Sequence, residues 1–142
     1  MAKQGDVRGN LFAECSSILP ELVDKIAKLM IDHGAEFVSC PGMYIIPSST
    51  WQCFFIEHIL LHSLWPVTVA NSGTLTFATA GAKSSIEKMR PYFKSIMGRD
   101  EIYFEDEPNS NAAKFKLMGN AFVLNAITQL AESLPLAETI GH

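Results

Sequence analysis

Twice along the chain a run of helical apolar spacing gives way, across a glycine, to a short run of strand-forming residues. In the first, Leu22, Ile26, Leu29 and Met30 recur at helical intervals behind Pro20, Gly34 follows, and Glu36-Phe37-Val38-Ser39-Cys40 alternates. In the second, Ile86, Met89, Phe93 and Met97 share one side of a helix expected over about 83–97, with Pro91 as a kink and Gly98 as its end. Glu101 to Glu105 then reads as a strand. Helix, glycine, strand is the return limb of a βαβ unit, which confines the chain to alternating α/β architecture. Ser16 and Ser17 stand where a cap for the first helix would lie.

Between these units Thr74 to Gly81 alternates threonine with apolar residues at a period of two, the clearest strand in the sequence. After a turn over Glu107-Pro108-Asn109-Ser110-Asn111, one helical register runs from about Asn111 to Ile140. At ~1.5 Å per residue it would be about 45 Å long, a length suited to a spine between two domains. Near its start Lys116 and Asn120 lie one turn apart on one face.

The 142 residues are 48% hydrophobic and 18% charged, the balance of a globular domain. A net charge of -4 leaves no basic stripe for a phosphate backbone, so nucleic acid is not expected as a partner. Cys15, Cys40 and Cys53 form no CxxC pair, and the opening MAKQGDVRGN has no apolar signal core, which reads as a reduced, cytoplasmic protein. Met43 to Ala70 is long enough to span a bilayer but holds Pro47, Glu57, His58, His62 and Pro66, so no membrane partner is expected.

Residues 42–67 break the style of the chain, with both tryptophans and Glu57 as the only formally charged side chain. They read as an intron carried into the coding sequence or as an insertion. His58 and His62 have the i, i+4 spacing of two metal ligands with Cys53 upstream, yet no third ligand cluster accompanies them, so no metal site is assigned.

Three stretches, ECSSILPELVDKIAKLMIDHGAEFVSCP, NSGTLTFATAGAKSSIEKMRPYFKSIMG and KLMGNAFVLNAITQLAESLPLAETIG, resemble in order and spacing the β-hydroxyacid dehydrogenase family. That family includes 3-hydroxyisobutyrate dehydrogenase and 6-phosphogluconate dehydrogenase-like proteins. The stretches cover more than half of the chain. The resemblance implies Lys116 as general acid/base, Asn120 as a substrate-holding residue and Ser17 as a position that approaches the cofactor, NAD or NADP. It implies hydride transfer between that cofactor and a small β-hydroxy acid. A lysine in an apolar cleft has its charged form disfavoured, which suits proton transfer, although a lysine on an apolar helix also commonly snorkels to water. For Ser17 the bland alternative is a helix cap.

The implied fold is α/β. Residues 11–108 would be the C-terminal part of a Rossmann-like NAD(P)-binding domain, interrupted by 42–67, and 109–142 would begin an all-α 6-phosphogluconate dehydrogenase-like domain. No Gly-x-Gly-x-x-Gly occurs, so the chain reads as a fragment in which Lys116 lacks a complete cofactor site. The competing expectation is a non-catalytic, self-associating protein, a homo-oligomer held by uncovered apolar faces.

Overall fold

The computed structural model describes residues 7–43, 70–94 and 96–141. Its elements in chain order are β1 (Leu11–Glu14), α1 (Pro20–Asp32), β2 (Glu36–Ser39), β3 (Gly42–Met43), β4 (Leu75–Gly81), α2 (Lys83–Phe93), β5 (Gly98–Glu105) and α3 (Ser110–Thr139). The architecture is α/β, as the alternating periods predict, with β1, α1 and β2 forming a parallel βαβ unit.

Proline at the first turn starts α1, as expected, but Leu19 is the N-cap and no side chain bonds the helix end. Neither Ser16 nor Ser17 therefore caps α1, because the extended chain at Leu19 stands between them and the first turn. At the other end Gly34 takes a left-handed φ of 81° and returns the chain to β2.

β2 and β3 are one strand in all but a gap. Val38 faces Gly81 and Ser39 faces Ala80, and Gly42 faces Phe77 and Met43 faces Thr76 in the same antiparallel register on β4. Pro41, which has no N–H to donate, lies in the gap, and its carbonyl still accepts from the Ala78 amide at 3.1 Å. The strand thus carries through Gly42 and Met43, while residues 44–69, including most of the atypical segment, lie outside the described residues. On its other edge β4 pairs in parallel with β5.

The second helix is shorter than its apolar spacing predicts. It ends at Phe93 rather than Met97, with Pro91 in its last turn and Lys94 extended. Gly98 opens β5 instead of closing the helix, because its Cα faces the Leu75 carbonyl and the Phe77 ring so closely that a Cβ would collide with both. β5 consequently starts three residues before Glu101, and Arg99 and Asp100 hide this start from a hydropathy reading.

Two layers cover the sheet. Val38, Cys40, Phe77, Ile86 and Phe93 fill the α2 side, where the Phe77 and Phe93 rings stack at 4.7 Å. On the other side Val23, Ala27, Phe37 and Ala113 join α1 to α3, and Ala78, Ala80 and Ala112 let α3 approach β4 closely. Above α2, Arg90 donates to Glu101 at 3.0 Å, Thr79 donates to the other oxygen of Glu101 at 2.8 Å, and the guanidinium lies 5.2 Å over the Tyr103 ring. This network clamps α2 to β4 and β5.

Candidate functional site

The first turns of α3 are held from α1. The Ser110 amide, one of the unpaired donors of a helix start, donates to Asp24 Oδ1 at 3.0 Å. Ala112 and Ala113 are buried, and Phe115 meets Phe104 with ring centroids 5.8 Å apart. Lys116 follows on this packed side of the helix and is half-buried. Burial holds its ammonium pKa below the ordinary lysine value, since the charged form loses hydration.

Lys114, two positions earlier, is exposed and donates to Asn111 Oδ1 at 3.2 Å, so the two lysines occupy different environments, as the helical spacing predicts. Asn120 lies one turn beyond Lys116 and is exposed. Past it α3 leaves the sheet, and Phe122, Leu124, Leu134, Leu136 and Ile140 are exposed.

Ser17 is exposed in the loop between β1 and α1, just past the carboxyl end of β1. Ligands of open α/β sheets bind at such strand ends. Its neighbour Ile18 packs against the cluster that contains Ala113 of α3. Among the described residues no hydrogen bond joins Ser17, Lys116 and Asn120 to one another.

Two features here escape a sequence reading. Glu14 accepts the Ser16 amide through Oε1 at 2.6 Å, whereas its Oε2 is buried without a hydrogen-bond partner among the described residues. Beside it the Cys15 and Cys40 sulfurs lie 3.2 Å apart. The missing signal was the pairing of β1 with β2, because LFAE is too short to announce a strand. His58, His62 and Cys53 lie outside the described residues. Among the described residues no helix is long and apolar enough to cross a membrane.

No family model matches the chain. It is 28% identical over 136 residues to the NADH-dependent oxidoreductase ucdB of Aspergillus ustus, covering 96% of this chain and 37% of that protein. Among solved structures it is similar to a variant imine reductase from Myxococcus stipitatus in complex with NAD+, with a TM-score of 0.73 at 13% identity, over 96% of this chain and 40% of that one. It is also similar to Mycobacterium tuberculosis 3-hydroxyisobutyrate dehydrogenase, with a TM-score of 0.71 at 20% identity, over 94% and 38%. The described fold is thus the α/β fold of the 3-hydroxyisobutyrate dehydrogenase and imine reductase structures. The resemblance to β-hydroxyacid dehydrogenases read from the sequence holds at the level of fold, and the chain spans about two-fifths of the length of these relatives.

Proposed function

We propose that the chain forms part of an NAD(P)-dependent oxidoreductase of the cytoplasm, which moves hydride between nicotinamide and a small β-hydroxy acid. The observation that carries this reading is Lys116: a half-buried lysine at the packed base of a long helix, its charge disfavoured by burial, one turn from an exposed carboxamide. Likeness to an NADH-dependent oxidoreductase and to structures holding NAD+ supports the choice of cofactor.

At the carboxyl end of β1, Glu14 Oε2, without a hydrogen-bond partner among the described residues, can accept a hydroxyl, and Ser17 is exposed nearby. These groups fit the ribose end of a nucleotide. The sequence holds no glycine-rich turn for the pyrophosphate, so the residues present fit only part of the group. When bound, the nicotinamide would accept or return the hydride. In this reading Lys116, its charged form disfavoured by burial, takes the alcohol proton on Nζ, and Asn120 orients the substrate through its carboxamide. Residues 109–142 begin the helical domain that completes the cleft, and residues 11–108 supply the sheet.

The test is oxidation of small β-hydroxy acids followed by nicotinamide absorbance. Lys116→Met is expected to lower kcat by roughly 10²–10⁴-fold, the usual worth of a general acid/base, while leaving nucleotide affinity unchanged. Equal turnover by both proteins would exclude Lys116 as the proton carrier.

A second reading rests on the exposed apolar residues of α3 and its C-cap, from Met118 to Ile140. They suit self-association without catalysis. Sedimentation that shows oligomers, combined with no nucleotide binding, would favour it.

A further inference from the structure

We propose that Cys15 and Cys40 form a reversible redox site, a vicinal dithiol that small-molecule disulfides convert to an intramolecular disulfide. The register of the sheet supplies the geometry. Parallel pairing runs from Leu11 opposite Glu36 to Glu14 opposite Ser39, and Cys15 and Cys40 are the next residues on the two strands. The Cys40 amide donates to the Glu14 carbonyl at 2.7 Å, so the strands remain in contact at this point. Neighbouring strands lie ~4.8 Å apart, inside the ~4.4–6.8 Å window of Cα separations that a disulfide spans. The sulfurs already touch at 3.2 Å, with both side chains as free thiols. No backbone rearrangement is needed to join them.

The two thiols differ in the way that an ordered exchange requires. Cys15 is exposed and Cys40 is buried, so a reagent reaches only Cys15. A hydrogen bond from Cys40 lowers the Cys15 pKa against the opposing effects of burial and Glu14, while the same bond and burial push the Cys40 thiol up. The Cys15 thiolate attacks one sulfur of an external disulfide such as oxidised glutathione. A mixed disulfide forms at Cys15 and one glutathione thiolate leaves. Cys40 then attacks Cys15 Sγ, forming the Cys15–Cys40 bond and expelling the second glutathione, whose thiolate takes up the Cys40 proton. Two protein thiols are oxidised and one external disulfide is reduced to two thiols. The bond would tie the end of β1, where the Ser16–Ser17 loop begins, to the end of β2 before Pro41.

The experiment treats the reduced, purified chain with oxidised glutathione, alkylates remaining thiols with N-ethylmaleimide, and maps peptides by mass spectrometry. The expected product carries one label in place of three, on Cys53, with a Cys15–Cys40 linked peptide that dithiothreitol releases. Cys40→Ala should stop at a stable glutathione adduct on Cys15, and Cys15→Ala should leave Cys40 unmodified. In the unmutated chain, a persistent adduct on Cys15, linkage of either cysteine to Cys53, cross-linking only between chains, or three labels would each overturn the proposal. Because the decisive map uses the unmutated chain, a variant that fails to fold does not affect it.

Discussion

Replacing Arg90 by methionine should cost about 2–4 kcal/mol of stability, because it leaves a carboxylate in the sheet without its cation. The Glu101 side chain is 5% exposed, and its two oxygens are taken by Arg90 and Thr79. Methionine keeps most of the aliphatic contact but withdraws the charged donor from Glu101 Oε2. A hydrogen bond to a charged group is worth about 1.5–3 kcal/mol, and the Thr79 hydroxyl alone does not replace it. The stacking of Arg90 on Tyr103 adds ~0.5–1 kcal/mol. The longer pair with Glu105, 3.4 Å at a partly exposed site, adds little. The Arg90 side chain is itself 35% exposed, which keeps the total below that of a fully buried pair. The assay is urea unfolding of Arg90→Met, Glu101→Gln and the double variant, read at constant m-value. The double variant should recover part of the loss, with a coupling of about 1–3 kcal/mol. A single Arg90→Met variant within ~0.5 kcal/mol of the parent would refute the claim that this ion network clamps α2 to the sheet.

Asp24→Ala should destabilise the chain by ~1 kcal/mol in the same assay, since it removes the acceptor for the Ser110 amide at the start of α3. Gly98→Ala should cost roughly 1–3 kcal/mol or more, because its Cβ would press on the Leu75 carbonyl and the Phe77 ring. Glu36 and Glu105 have pKa values held below the carboxylate range by hydrogen bonds from Lys88 and Lys83 respectively. Their contribution is full above that range and is lost as pH falls through the lowered values, so acid titration should show Lys83→Met to be the less acid-sensitive protein. Lys116 shifts the other way. Its folded pKa lies below the ordinary 10.5, so the unfolded chain binds more protons between the two values and stability rises with pH across that window. Lys116→Met should abolish this rise in a pH series of thermal melts.

Elements with a long, regular period were legible in the sequence, and elements defined by their partners were not. α1, β4 and α3 stand close to where their apolar spacing put them. β1 escaped because four residues with a half-buried pattern carry little periodicity, and only pairing with β2 makes them a strand. The start of β5 escaped because Arg99 and Asp100 look like a loop, while Gly98 serves a close approach and not a helix stop. For the site, the environment of Lys116 was legible from the apolar register around it and from the family resemblance. Glu14 and the Cys15–Cys40 contact were not legible, since they depend on the register between two strands that are far apart in the chain.

The most direct test of the account is titration of the purified chain with NADH and NADPH, with nucleotide fluorescence and thermal unfolding followed together. A ligand that binds only the folded state raises stability by ~2.7 kcal/mol at a hundred times its Kd. The account predicts saturable fluorescence and a rising melting temperature with at least one nucleotide, both weakened when Ser17 or Glu14 is replaced by a bulky residue. A folded chain whose melting temperature and fluorescence ignore both nucleotides would contradict it.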